Sequence, residues 1–376
     1  MATGVEGPAS SAPGEDVWRG ELAELLPAIT TVRSLWPRRA GGVLLARRGE
    51  GLVVVKALAH KRGRRRIQRG AARRETAMLQ AAQGAHVVRL EEVAIGTWFT
   101  FLVMEHLPLS TLRGRLGEPW SGVDLVAAGL GVTAALARLH GAGLLFNDFK
   151  PRNVGIGTTT GPGAAGKQVV KLIDFGHART LAETRARHCL CGTVDYAPPE
   201  AWGPGLMGTT SDVWAWGRSW HLLASGHYFE RVESFRQLLR AGRAPLPPVA
   251  RVSRSPLPPG LATLIDAALD PIPERRPTDG RELHACLQAI ARDEWGEALA
   301  DLSRFAMAPL EGAPVTSPTE APPSASCGAQ PACGARQVGQ LPFPGSWWSS
   351  SKARSQAAKG VPPLTNTTSP SAVLWR

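Results

Sequence analysis

One short stretch, Phe146-Asn-Asp148-Phe-Lys150-Pro-Arg-Asn153, brings together a carboxylate, an ammonium group and a neutral amide oxygen. A second carboxylate, Asp174, follows in Lys171-Leu-Ile-Asp174-Phe175-Gly176, at the end of a β-like apolar run. Transfer of a phosphoryl group to a hydroxyl demands such a set. A carboxylate orients the hydroxyl and accepts its proton, a cation sits beside the moving phosphate, and a neutral and an anionic oxygen hold a divalent metal. Only seven of the 43 basic residues are lysines and only three residues are asparagine, so the arrival of Lys150 and Asn153 at these positions is not a by-product of composition.

These groups need elements to position them. Residues 43–47 and 52–58 are β-rich runs on either side of Arg48-Gly-Glu-Gly51, a hairpin signal. The pattern predicts a helix over 70–82 and strands over 87–95 and 98–105. From 121 onward it turns helical, over 121–141, 210–225, 231–241, 258–268 and 279–293, with short strands at 144–146, 154–156 and 169–173. The expected fold class is α+β, bilobal, with a small β-rich lobe followed by a larger helical one and a cleft between them.

Composition narrows the classes. The 376 residues carry 43 Lys+Arg against 31 Asp+Glu, a net charge of +12, and 43% are hydrophobic. That is enough apolar material for a large core and excludes collagen-like, wholly disordered and small disulfide-scaffold chains. Abundant Arg, Ala, Gly and Pro indicate a general compositional bias, so the charge alone is weak evidence for nucleic acid. No apolar run approaches the roughly 18 residues of a membrane span, and the first 25 residues lack the plan of a signal peptide. The cysteines (Cys189, Cys191, Cys286, Cys327 and Cys333) are odd in number and match no tetrahedral zinc spacing, which points to reduced thiols. The expectation is an intracellular, cytoplasmic protein, and Asn366-Thr-Thr is then no glycosylation site. The basic run over 61–74 is a candidate nuclear-import signal, or a site for an acidic partner or nucleic acid. Three zones are expected: a disordered leader (1–27), a body (28–296, with lobes 28–105 and 108–296) and a disordered Pro/Ser/Ala tail (304–376). Within the tail, Phe343-Pro-Gly-Ser-Trp347-Trp348 is the one candidate groove-docking cluster.

The stretches around Asp148 and Asp174 resemble the eukaryotic protein kinase family, and the resemblance runs through the body of the chain. It implies ATP and Mg²⁺ as cofactors, Asp148, Lys150 and Thr193 as catalytic residues, and Asn153 and Asp174 as metal ligands. Lys56 and Glu75 stand at the separation at which the family pairs its phosphate-binding lysine with a helix glutamate. Gly41 and Val43 match the phosphate loop, Val54 the roof over the adenine, and Met104, Glu105 and Leu107 the hinge beside it. Gly192-Thr193-Val-Asp-Tyr196-Ala-Pro-Pro199-Glu200 resembles the end of the activation segment, and Asp212-Val-Trp214-Ala-Trp-Gly217 the start of the buried large-lobe helix. Asp270-Pro-Ile-Pro-Glu-Arg-Arg276 resembles the segment whose arginine pairs with Glu200. Small-molecule phosphotransferases such as aminoglycoside kinases share the Asp…Asn…Asp core but not this activation segment. Lys150 together with Thr193 is the Ser/Thr-type arrangement. The implied activity is serine/threonine protein kinase, with protein Ser/Thr hydroxyls as substrate; the alternative is a pseudokinase scaffold on the same fold.

Departures from the family pattern carry their own expectations. In Leu35-Trp36-Pro-Arg38-Arg-Ala40-Gly41-Gly42-Val43, Trp36 and Arg38 replace the first two glycines of the phosphate loop, and the charges of Arg38 and Arg39 partly compensate. Phe146-Asn147 replaces His-Arg, so no arginine precedes Asp148 to read a phosphate on the activation loop. Leu79, Leu90, Phe146 and Phe175 are expected to form an apolar column linking the lobes. Gly155 stands where a large aliphatic residue floors the adenine in the family, so the ring is expected to sit lower or Ile156 or Met104 to fill part of the gap. The hairpin over 157–168 is expected to be a surface loop.

Overall fold

The computed structural model describes residues 15–38, 41–62, 67–159, 166–187, 192–202, 207–226 and 246–306. The chain divides into two compact units, Met1–Ala321 and Pro322–Arg376, and the described residues all belong to the first. The expected helix at 231–241, Cys189 and Cys191, the hairpin tip at 160–165 and the tail from 307 lie outside the described residues.

Strands β1 (Ile29–Arg38), β2 (Gly41–Arg48), β3 (Gly51–Ala59), β4 (Leu90–Ile95) and β5 (Phe99–Glu105) form an antiparallel sheet in the order β1-β2-β3-β5-β4. Side chains alternate across it. Val53, Val55 and Ala57 of β3 are buried against Leu44, Phe101 and Val103 on one face. Val54 and Lys56 therefore point to the other, where the helix α2 (Gly70–Ala82) packs Met78, Leu79 and Ala82 beside Leu102 and Met104.

The first face has a cover that the sequence reading does not anticipate. Helix α1 (Glu15–Leu25) occupies part of the expected leader, and Trp18, Leu22 and Leu26, four residues apart, are buried together against the sheet. The polar composition around them conceals a single apolar stripe whose value appears only against the sheet. Burial of each large side chain contributes roughly 1.5–3 kcal/mol. The Glu21 carboxylate accepts the N–H groups of Thr97, Trp98 and Phe99, with Trp98 and Phe99 at 3.0 Å, tying α1 to the β4–β5 turn. Strand β1 is also absent from the sequence reading. Its register against β2 shifts between Thr31 and Arg33 and again between Ser34 and Trp36, so two bulges erase the alternation that betrays a strand.

The second lobe is built on α3 (Gly122–Gly141), started by the Ser121 hydroxyl, which accepts the Asp124 N–H at 3.1 Å. By length and composition α3 could cross a membrane; most of it is buried inside this lobe, and it is the core helix. Around it lie α4 (Leu181–Arg187), α5 (Thr209–Ser225), α6 (Pro259–Ala268) and α7 (Gly280–Glu294). Trp220 of α5 donates its indole N–H to the Leu125 carbonyl at 2.9 Å and stacks on Trp216 with ring centroids 5.1 Å apart. The hairpin of β6 (Val154–Thr158) and β7 (Gln168–Leu172) pairs Val154 with Leu172 and Thr158 with Gln168.

The body also extends past 296 and into the expected tail. Gln168 donates to the Arg304 carbonyl at 2.8 Å and accepts from the Ala306 N–H at 2.7 Å, while Phe305 stacks on Trp120 at 5.7 Å. Two aromatic rings and a strand-like pairing outweigh the polar composition that suggests a boundary at 304.

Candidate active site

Residues 146–153 cross from one lobe's core to the cleft, and Asp212 in the first turn of α5 holds them. Its Oδ1 accepts the Asn147 N–H and its Oδ2 the Phe146 N–H, each at 2.8 Å, and it is 2% exposed. His140 accepts the Gly280 N–H at Nδ1, 2.8 Å away, so its Nε2–H donates to Asp212 at 3.1 Å. Asn147 takes the left-handed conformation, φ +62°, which this anchoring enforces.

Beyond the anchor the polar groups converge. Lys150 Nζ lies 2.6 Å from Asp148 Oδ2 and 2.5 Å from Thr193 Oγ1, and the Thr193 hydroxyl donates to Asp148 Oδ1 at 2.8 Å. The Asn153 amide donates to Asp148 Oδ2 and to its carbonyl, both at 2.9 Å. Both amide hydrogens of Asn153 are thereby committed, which leaves its Oδ1 as an acceptor.

Across the cleft, Lys56 on β3 reaches Glu75 on α2 at 2.5 Å and Asp174 at 2.8 Å. Burial disfavours the charge on Asp174, but the Lys56 ammonium and the Gly176 N–H outweigh it and pull the carboxyl down to about 2. Burial, aided by the negative Asp174, pushes Glu75 above the usual carboxylate range against the pull of Lys56. Burial alone would lower Lys56; its two carboxylates instead raise it. The cleft these groups line has a volume of about 1450 Å³.

A comparison of the whole chain decides what the constellation belongs to. Residues 39–295 match the family model described as "Protein kinase domain". The chain is a member of the protein kinase family. The chain is 28% identical over 215 residues to a probable serine/threonine-protein kinase, PkwA, of Thermomonospora curvata, covering 56% of this chain and 27% of that protein. It is 30% identical over 163 residues to a non-receptor tyrosine-protein kinase of Mus musculus, 41% of this chain and 23% of the other. To a serine/threonine-protein kinase of Myxococcus xanthus it is 29% identical over 204 residues, 51% and 36% of the two chains. The alignments thus span about a quarter to a third of these relatives' lengths.

The fold brings most of the singled-out residues together. Val43, Val54, Lys56, Glu75, Met104, Glu105, Leu107, Lys150, Asn153 and Asp174 all line the cleft. Asp148 and Thr193 line a small recess with Tyr196 and Pro198. Gly41 does neither, a correction to its expected place in the phosphate loop. With φ +98°, its Cβ would fall 2.2 Å from the Ala57 carbonyl oxygen, so a close strand approach requires the glycine, and Gly42 and Trp36 line the cleft instead.

The expected gap at Gly155 is filled. A Cβ there would meet Leu107 Cδ1 at 2.5 Å and Ile173 Cγ2 at 2.9 Å, so the hinge leucine and the residue before Asp174 replace the missing side chain. Of the two fillers expected from sequence, Ile156 is fully buried and is not among the lining residues, and Met104 lines the cleft but is not among the atoms nearest the Gly155 position. Glu105 is tied to Lys171 at 2.6 Å. His106 and Leu107 both line the cleft and make no backbone–backbone hydrogen bond among the described residues.

The apolar column is present in outline. Phe146 meets Phe175 edge-on at 5.2 Å, in the same cluster as Leu79, with Leu90 packed against it. Between Asp174 and Gly192, residues 181–187 are helical. Thr180 caps α4 reciprocally, its hydroxyl accepting the Glu183 N–H at 3.1 Å while the Glu183 carboxylate accepts the Thr180 N–H at 3.1 Å. Asn147 is not disconnected from this segment. Its amide donates to the His177 carbonyl at 3.3 Å and to the Thr184 hydroxyl at 3.4 Å, and Thr184 is 6% exposed.

The sequence reading marks Asp212 only as a helix start and omits His140; an acidic residue opening a helix otherwise full of tryptophan is the signal that could have found the anchor. Arg276 meets Glu200 bidentately at 2.8 and 2.9 Å. Of the basic run, the side chains of 61–68 lie outside the described residues. Arg69 donates to the Gly96 carbonyl at 3.1 Å and Arg74 lies 3.6 Å from Glu183, so two of its arginines serve internal contacts.

Proposed function

We propose that the protein transfers the γ-phosphoryl group of Mg-ATP to serine or threonine hydroxyls of protein substrates. The observation that carries this reading is the closed hydrogen-bonded ring of Asp148, Lys150 and Thr193, with Asn153 fixing the carboxylate from the other side. A carboxylate so held is preorganised to orient an acceptor hydroxyl and take its proton, and Lys150 stands ready to offset charge on the transferred group. Two protein oxygens, Asn153 Oδ1 and the anionic Asp174, suit Mg²⁺, which keeps several waters and takes its remaining ligands from phosphates. When bound, Mg-ATP supplies the phosphoryl group and the neutralising cation; Lys56, held by Glu75, would grip the phosphates, and the peptide groups of His106 and Leu107 the adenine edge.

Purified protein incubated with labelled ATP, Mg²⁺ and basic protein substrates should yield phosphoserine and phosphothreonine, and Asp148→Ala should not. Phosphotyrosine alone would overturn the substrate class. Trp36 and Arg38 in place of loop glycines favour a second reading, a nucleotide-binding scaffold, which Mg-ATP binding without any transfer would establish.

Two predictions arise here. Gly155→Leu must displace Leu107 and Ile173, and such overpacking costs about 1–3 kcal/mol. Titration with a fluorescent nucleotide should therefore show binding weaker by about tenfold; equal or tighter binding would mean that the two side chains move aside freely. Activity should also be independent of phosphate on Thr180 and Thr184. Asn147 carries no charge to pair with a phosphate, and both hydroxyls already serve internal bonds. Phosphatase-treated enzyme and a Thr180→Asn/Thr184→Val variant, which keeps a capping side chain and the buried shape, should match the untreated rate. A large loss in both would refute this.

A further inference from the structure

Trp36 is a large apolar side chain, 44% exposed, in a place where the resemblance led us to expect glycine. Its neighbours explain its direction. The register of β1 slips between Ser34 and Trp36, leaving Leu35 as an extra residue, and a bulge of this kind re-aims the side chain that follows it. Trp36 pairs with Val43, which pairs with Lys56, so along the sheet the indole stands level with the lysine that faces Glu75 and Asp174. From that height it meets the opposite lobe, where the guanidinium of Arg152 lies 4.7 Å from the ring centroid. Arg152 sits between Lys150 and Asn153, and both Trp36 and Arg152 line the cleft. Among the described residues Arg152 makes no ion pair, and the indole is its partner.

We infer that Trp36 and Arg152 form a latch between the lobes that closes the cleft over bound nucleotide and sets how fast it leaves. The inference rests on the nucleotide-binding reading above and goes beyond it, because it assigns retention to a side-chain contact instead of to a flexible glycine-rich backbone. The chain crosses between the lobes through the hinge around Glu105–Leu107, so a contact between β1 and the segment carrying Asp148 and Asn153 must break when the cleft opens. An exposed cation–π contact is strong enough to slow opening and weak enough to permit turnover. Trp36 and Arg152 are positioning residues in this scheme; neither is assigned a part in the transfer step.

The test is the release rate of a fluorescent ADP analogue in the presence of Mg²⁺, measured by stopped flow on the full chain. Trp36→Ala and Arg152→Gln should each speed release by about two- to fivefold, the range of an exposed cation–π contact. The double variant should be no faster than the faster single variant, because one contact is lost once, and Trp36→Phe should fall between wild type and Trp36→Ala. Both side chains are on the surface, so the thermal midpoint should not move. Unchanged release in the single variants, or a double variant whose effect is the product of the two, would overturn the latch while leaving nucleotide binding intact. A wild-type protein that takes up no nucleotide would instead overturn the function proposed above, and the latch with it.

Discussion

Asp148→Asn is expected to lower phosphoryl transfer by about 10²–10⁴-fold, the usual contribution of a positioned proton acceptor, while nucleotide binding persists. The substitution preserves shape and removes charge and basicity. In the native arrangement Oδ2 accepts from Lys150 and Asn153 and Oδ1 from the Thr193 hydroxyl. An amide placed there can keep its oxygen toward the first two and turn its NH₂ toward Thr193, whose hydroxyl rotates to accept. The fold and ring thus survive with no group able to take a proton. Lys56, Glu75, Asp174 and the hinge are untouched, so a fluorescent nucleotide should bind the variant as it binds wild type. Undiminished transfer to protein substrates would defeat the mechanism, and loss of binding would show that Asp148 shapes the nucleotide site.

The largest expected effect on stability lies at Arg276. Its guanidinium is fully buried, paired bidentately with Glu200, and donates to the carbonyls of Asp270 at 2.7 Å and Thr210 at 3.1 Å. It also covers the Trp214 ring at 4.7 Å. Removing one member of a buried pair strands the other charge, at a cost of about 3–5 kcal/mol. Arg276→Ala should lower the urea midpoint accordingly without changing the slope of the transition. Removing both charges, in Arg276→Met/Glu200→Leu, should recover part of the loss, since no unpaired carboxylate remains, although the carbonyls of Asp270 and Thr210 and the Ser211 hydroxyl, which donates to Glu200 at 3.0 Å, each lose one partner. A single variant with a midpoint within error of wild type would show that the Ser211 hydroxyl, 3.0 Å from Glu200, together with water satisfies the carboxylate. Because Glu200 ends the segment that begins at Gly192-Thr193, the same variant should loosen Thr193 against Lys150.

Much of this molecule is legible in its sequence. The β2–β3 hairpin, α2, α3, α5, α6 and α7 appear where local periodicity and turn residues predict them, within one or two residues. The stretch from Asp148 to Asn153 is readable for a related reason. Asp148, Lys150 and Asn153 are close in the chain, so a short turn alone brings them together, and their residue types are rare in this composition. Lys56 and Glu75, 19 residues apart, are nearly as local.

Tertiary structure decided what depends on distant surfaces meeting. Three apolar residues in a polar leader become α1 only because a sheet face is there to bury them. Strand β1 hides behind two bulges that its pairing with β2 tolerates. Gly155 leaves no void, because a leucine from the hinge occupies the space, and Gly41 answers to the Ala57 carbonyl instead of to a phosphate. The contact of Asn147 with Thr184, the grip of Asp212 on the loop and the meeting of Trp36 with Arg152 join residues tens of positions apart. Periodicity records which way a side chain faces within its own element; which partner it finds there is set by how the elements pack, and no local spacing carries that information.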